Sequence, residues 1–486
     1  MALGATLVVW APVVHSCFYA DDIVLLYDAR NGAPLEFVLT PYGGHLYWTR
    51  NLLFLGIERI FGPDPRPFFT LSLANQLLNV ALLFAVLHTW TRRPVLAGFW
   101  STLWGTCPLN MGTLNWFATH GQMMVASLVL ALLWRAAVLE RRGTIPGARD
   151  AWVIVAALVV GATCYGVGVG AAMAFPVAAL LLFPRMTSRT RLLVCLPILV
   201  VPLLYVVGQQ LHALVSVRPT GAQVPGVRLL AYVPDQLILT GHLVAHGFAG
   251  LLTGFLAPER DFPPALVVGA GALLGLAVVA GLAAADGPMR RRLVAVILLI
   301  GAVCGIIAVG RAHMLWFMGG TFAKVAATPR YQYLGPLFLA LLAGLLCAQA
   351  AQRRGRAAVG LVAAVLILTI DARAWARTAW HVDTHAWAGR EVAGLLQRVR
   401  DAAAAVPPGT TVVLPNKRFQ SVGPVFSQTP LLFPRAAAAF IAFVDGDVVD
   451  GRPVRFAEED PGIYAALTEQ PGKRIAGLLV PATPAP

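Results

Sequence analysis

The chain has 486 residues, of which 58% are hydrophobic and only 12% charged, with a formal net charge of +14 and a mean hydropathy of +0.71. Soluble domains keep about a quarter of their residues charged to hold a wetted surface, so this composition excludes an ordinary water-soluble enzyme. The apolar residues come in long runs, not in the ten-residue alternation of a membrane β-barrel. The basic excess lies mostly in short loops between those runs, which points to membrane topology and not to nucleic-acid binding.

Apolar runs of about 20 residues cross the hydrocarbon core as helices, because lipid offers the backbone no hydrogen-bond partner. In chain order the runs predict spans at 1–17, 69–90, 94–108, 117–138, 151–166, 169–184, 192–212, 264–285, 292–311, 332–350 and 357–373, about eleven in all. Residues 1–18 lack the basic n-region and cleavage site of a signal peptide and read as an uncleaved first span. Every second loop (91–93, 139–150, 185–191, 286–291, 351–356) is rich in arginine, from Arg92 and Arg93 to Arg353, Arg354 and Arg356. By the positive-inside rule the N-terminus is then cytoplasmic, and 18–68, 213–263, 312–331 and the tail 374–486 lie outside. The expected class is an all-α polytopic membrane domain, 1–373, followed by a small extracytoplasmic α/β module, 374–486. The module is read from a helical stretch at 385–405 and strand-like runs at 411–414, 439–444 and 475–480.

The six cysteines contain no CxxC pair, so neither a disulfide framework nor a zinc site is implied. His242 and His246 are four residues apart but lack the glutamate of a HExxH motif. They read as lining an amphipathic outer helix within 236–256. Glycines 161, 166, 168 and 170 form no phosphate loop and read as close-packing positions between helices.

Chemistry concentrates at Phe18-Tyr19-Ala20-Asp21-Asp22, where two carboxylates stand at the exit of the first span. Ionisable groups at membrane depth are costly and tend to be functional, and a desolvated carboxylate can act as a general base. A solvated pair at a helix end is the alternative reading. The loop continues through Gly43-Gly44-His45-Leu46-Tyr47-Trp48-Thr49-Arg50-Asn51. The next span opens Phe68-Phe69-Thr70-Leu71-Ser72 and runs on to Asn79. Further on come Cys107-Pro108 to Leu114-Asn115-Trp116, then Thr328-Pro329-Arg330-Tyr331-Gln332-Tyr333.

In the order and membrane side of these four stretches, the chain resembles the GT-C glycosyltransferases. More narrowly it resembles the protein O-mannosyltransferase-like branch, which includes the transmembrane-and-tetratricopeptide O-mannosyltransferases. The sequence departs from the family where an Arg-Pro-Leu element becomes Tyr47-Trp48-Thr49 before Arg50, where the second-span histidine is Asn79, and where the second-loop glutamate falls at Gly112. Gln122 stands where another acid is often seen.

The resemblance implies a polyprenyl-phosphate sugar donor, mannose being the family's commonest sugar, and a hydroxyl acceptor on a protein, glycan or lipid at the outer face. Asp21 or Asp22 would be the base of a single displacement. Arg330, with Lys324 and Arg311, would hold the donor phosphate, because a guanidinium pairs two oxygens at once. A snorkelling anchor at a span end is the alternative reading for Arg330. His45, Arg50, His120 and Tyr331 would line the substrate cavity, and Tyr331 also reads as an aromatic-belt residue. No cofactor is implied, and a divalent metal is an option without ligands to name. A lipid carrier or flippase, and a catalytically inactive relative acting as a binding partner, are the competing classes. The arginine and alanine bias points to a bacterial plasma membrane.

Overall fold

The computed structural model describes residues 1–16, 18, 21–41, 45–62, 64–215, 232–253, 264–312, 315, 321–353, 412–414, 448–449, 452–456 and 480–481. The fold is helical. Helix α1 (Ala2–Trp10) runs into a 3-10 turn (Ala11–His15), and α2 (Asp21–Asn31), α3 (Pro34–Leu39) and α4 (Trp48–Phe61) build the first loop. Then come α5 (Pro65–Thr91), α6 (Pro94–Gly105), α7 (Met111–Leu114), α8 (Gly121–Arg142), α9 (Ala148–Cys164), α10 (Gly166–Leu182) and α11 (Ser188–Val215). The last helices are α12 (Val233–Thr253), α13 (Pro264–Ala284), α14 (Gly287–Arg311), α15 (Phe322–Ala327) and α16 (Leu334–Arg353).

Seven described helices are long and apolar enough to cross a membrane: Pro65–Thr91, Phe117–Arg142, Ser188–Gly208, Val233–Thr253, Pro264–Ala284, Gly287–Arg311 and Leu334–Ala351. Six of them fall on expected spans. The seventh, Val233–Thr253, lies inside a stretch expected to be an outer loop. The expected spans at 1–17, 94–108, 151–166 and 169–184 are helices too short for that length, α6 having 12 residues and α9 and α10 having 17 each. The eleventh expected span, 357–373, lies outside the described residues.

The helix ends follow local chemistry. Asp64 caps α5 by accepting the Arg66 N–H at 3.0 Å, and Pro65 opens the helix where no N–H is needed. Asp286 caps α14 through the Met289 N–H at 2.8 Å. Gly143 ends α8 with φ +65°, a left-handed conformation that costs glycine nothing, while the Thr144 N–H closes on the Leu139 carbonyl.

Two ends of the bundle can be told apart by contacts. At one end, Glu140 of α8 accepts from Trp90 Nε1 of α5 (3.0 Å) and pairs with Arg292 of α14 (2.9 Å). Arg135 binds Asp150 at the start of α9, and Gln349 of α16 reaches the Gly281 carbonyl of α13. The arginine-bearing loops 91–93, 139–150 and 286–291 therefore share this end. At the opposite end Trp10 donates to the Gly105 carbonyl, Tyr333 to Gln76, and Trp104 packs edge-on against Tyr333. Between the ends, α10 lies against α14, where a Cβ at Gly170 would meet the Ala302 carbonyl at 2.6 Å. Small residues let membrane helices approach this closely.

In the tail, four short strands pair in the order β2-β3-β1-β4: β1 (Val412–Leu414), β2 (Val448–Val449), β3 (Arg452–Phe456) and β4 (Val480–Pro481). β1 runs parallel to β3 and antiparallel to β4. The expected strands at 411–414 and 475–480 overlap β1 and β4, whereas those at 439–444 and the helix at 385–405 lie outside the described residues.

Candidate functional site

The end of the bundle opposite the arginine loops gathers the first loop, the second loop (residues 106–120) and the Thr328–Tyr333 stretch. Asp21 begins α2. Asp22, one residue on, is fully buried. Its two oxygens accept the backbone N–H groups of Phe117 (3.3 Å) and Ala118 (2.6 Å), which open a 3-10 turn, Phe117–Thr119. The ring of Phe117 continues downward into a cluster with Phe54 (5.7 Å) and Phe68 (4.9 Å). The second carboxylate is thus a strut between the first and second loops.

Arg50 of α4 belongs to the same strut. It is 2% exposed. Its Nη1 donates to the Ala118 carbonyl (2.8 Å), its Nε and Nη2 donate to Asn51 Oδ1, and its guanidinium lies 4.2 Å from the Tyr47 ring centre. Asn51 in turn donates to the Phe37 carbonyl, near the end of α3. Arg50, expected to line a substrate cavity, directs these donors to Ala118 and Asn51. His120 is also interior, stacked on Phe117 at 4.6 Å with Nδ1 3.2 Å from Ser72 Oγ.

The remaining cations assemble around an aromatic floor. Arg330 sits in a 3-10 turn, Pro329–Tyr331, half-buried between the rings of Trp116 (5.3 Å) and Tyr331 (4.9 Å). Arg311, at the end of α14, lies 5.2 Å from the same Tyr331 ring. Arg311 is near enough to act electrostatically on His45, Tyr47 and Tyr165, and Arg330 acts on Tyr165. Lys324 is exposed on α15, before this group.

The Arg330 turn is held from several sides. Gln122 donates to the Arg330 carbonyl (2.8 Å), Gln332 to the Leu243 and Ala326 carbonyls, and Tyr333 is fixed between Gln76 and Asn79. Gly112 packs directly on this turn: a Cβ there would overlap the Arg330 nitrogen and Pro329. A larger side chain has no room at that position.

His45 lies against the start of α10, where a Cβ at Gly166 would meet the imidazole at 2.7–3.0 Å. Burial, reinforced by the Arg311 charge, lowers its pKa to about 4. At neutral pH it is therefore an uncharged imidazole, able to donate one hydrogen bond and accept another.

The structure brings His45, Arg311, Arg330 and Tyr331 into one neighbourhood, with Asp22 and Arg50 beneath it as supports. Trp116 and Tyr165 belong to it as well. Trp116 appears in the sequence only as part of a family-like stretch, and Tyr165 is disguised as the end of an apolar run. Among the described residues, no group of three or more His, Cys, Asp or Glu side chains could hold a metal ion. Comparison with protein-family models, with curated proteins and with solved structures finds no match for this chain.

Proposed function

We propose that the chain is a GT-C-like membrane glycosyltransferase that moves a sugar from a polyprenyl-phosphate donor to a hydroxyl acceptor at the extracytoplasmic face of a bacterial plasma membrane. The observation that carries this reading is the placing of two guanidinium groups, Arg311 and Arg330, on one tyrosine ring, Tyr331. Guanidinium forks match phosphate oxygens, and stacked arginines are already ordered for that task. Their position away from the arginine-loop end supports an outer-face site under the positive-inside rule.

In this reading Arg330 and Arg311 take the donor phosphate, with Lys324 at the approach. Asp21 takes the acceptor proton, while Asp22 holds the loop behind it. The acceptor oxygen bonds to the anomeric carbon as the bond from that carbon to the phosphate oxygen breaks. The electron pair leaves with the phosphate, where the two arginines neutralise the growing charge. One displacement inverts the anomeric centre. Mannose is the sugar that the family resemblance suggests, and the tail 374–486 is the natural place for acceptor selection.

The test uses the purified chain in liposomes with polyprenyl-phosphate mannose and a membrane extract as acceptor. Release of polyprenyl phosphate coupled to sugar transfer, lost in Asp21→Asn with the fold retained, supports the reading. Movement of the lipid between leaflets without release of phosphate would instead make the chain a carrier. Neither transfer nor movement would leave a binding partner.

A further inference from the structure

The second outer loop is built in a way that its packing does not explain. Residues 106–120 are irregular backbone and 3-10 turns around the single-turn helix α7, and nearly all of them are buried. Non-helical backbone survives at membrane depth only inside protein or along a polar cavity. Some polar groups of the loop are paired within it: Asn110 Nδ2 donates to the Trp104 carbonyl (2.7 Å), and Thr119 Oγ1 to the Trp116 carbonyl (2.8 Å). Asn115 differs in having both of its amide atoms in question. It is 1% exposed, and neither its amide nitrogen nor its amide oxygen has a hydrogen-bond partner among the described residues. Thr113 Oγ1 and Asn110 Oδ1 are in the same condition.

A buried amide left wholly unpaired is a large cost, and leucine of nearly the same shape would avoid it. Such a group is retained where something else uses it. Its neighbour in sequence is Trp116, whose ring carries Arg330. If Arg330 holds a phosphate, the sugar one bond away comes down beside the Trp116 indole. Aromatic faces and uncharged amide and hydroxyl groups are the side chains that suit a sugar ring: the apolar face stacks, and the hydroxyls pair with groups that both donate and accept.

We infer that Asn115, with Thr113 beside it, reads the hydroxyl pattern of the donor sugar, the amide turning out of its closed position as the sugar seats on Trp116. The ligand class is a neutral hexose or pentose linked to a lipid phosphate. This rests on the glycosyltransferase reading and names the part of the site that would select the sugar.

The experiment compares lipid binding by the full chain in detergent, using polyprenyl phosphate alone and polyprenyl-phosphate mannose, glucose and galactose. The wild type is expected to bind at least one sugar-bearing lipid about tenfold more tightly than the bare phosphate, the worth of one or two good hydrogen bonds. In Asn115→Leu that difference disappears, while binding of bare polyprenyl phosphate is unchanged and thermal stability holds or rises. Asn115→Gln, which keeps the amide but moves it, alters which sugar is preferred. Equal binding of sugar-bearing and bare lipids by the wild type overturns the inference and leaves the phosphate site standing. So does an unchanged sugar preference in Asn115→Leu. Failure of every lipid to bind overturns the glycosyltransferase reading itself. Should Asn115→Leu fail to fold, Thr113→Val supplies the same comparison.

Discussion

Asp22 and Arg50 grip the same residue from opposite sides: the Asp22 carboxylate accepts the Ala118 N–H at 2.6 Å, and the Arg50 guanidinium donates to the Ala118 carbonyl at 2.8 Å. Both side chains are buried, so each bond is charge-assisted in a place poor in water. The first and second loops are thereby fixed to one another at Ala118, two residues from Trp116. Asp22→Asn keeps one acceptor oxygen but sets an NH2 donor against the second of the two N–H groups of Phe117 and Ala118. It is expected to lower stability by about 2 kcal/mol, seen as a fall in the thermal unfolding midpoint in detergent. Arg50→Met acts in the same direction. Asp21→Asn is expected to leave that midpoint unchanged and to abolish transfer, which separates a strut from a base although the two acids are adjacent in sequence.

Gly112 offers a steric test of the same assembly. Ala in its place would drive a Cβ into the Arg330 nitrogen and Pro329, both backbone and unable to yield cheaply. Gly112→Ala should therefore displace the Arg330 turn and weaken binding of polyprenyl phosphate at least tenfold. Gly56→Ala, within α4 and with open space around it, should instead gain about 0.5–1 kcal/mol from helix propensity. Equal effects of the two substitutions would refute the packing argument.

His45 gives a dependence on pH. Its pKa is lowered to about 4 in the folded protein, chiefly by burial and then by Arg311, against 6.5 for a free imidazole. Between those values the unfolded chain takes up a proton that the folded chain refuses. Stability is complete above pH 6.5 and is lost as the pH falls toward 4. Unfolding midpoints measured from pH 7.5 to 4.5 should show this slope, and His45→Gln should flatten it. An identical slope in the variant would assign the acid sensitivity elsewhere.

At the far end of the bundle, Glu140 joins three helices: it binds Arg292 through both oxygens and accepts from Trp90. Side-chain exposures of 18–19% leave this ion pair less screened than a surface pair. Glu140→Gln is expected to cost about 1–3 kcal/mol, with donor binding at the opposite end unaffected. A double-mutant cycle with Arg292→Gln should return a coupling of comparable size.

The long helices and the arginine phase were legible in the sequence because both are written in composition: an apolar run must be satisfied within one segment, and its flanks carry the charge. The site was legible only in pieces. Arg330, Arg311, His45 and Tyr331 could be named, yet nothing local in the sequence reveals that Arg50 points inward, since its partner is a backbone carbonyl 68 residues away. Tyr165 was hidden for a related reason. It stands between two apolar helices, and only the extended break in the helix at Tyr165 itself brings it within electrostatic reach of Arg311 and Arg330.

The helix Val233–Thr253 is where sequence and structure diverge most, and it decides the topology. It is apolar enough to cross, yet a crossing here would reverse the side of every later loop and place Arg290 and Arg291 outside. Its contacts favour the other arrangement. Gln332 binds the Leu243 carbonyl, a Cβ at Gly247 would meet Gln332, and Cys107 Sγ lies 3.9 Å from the Gly250 carbonyl. Three successive points along the helix thus touch the site end of the bundle, as a helix lying across that end would. Single cysteines at Ala222 and Ala257, in a background with the six native cysteines replaced, should both react with an impermeant maleimide added to intact cells. Labelling at 222 but not at 257 would show that α12 crosses the membrane, and the arginine phase would then have to be read from a different starting side.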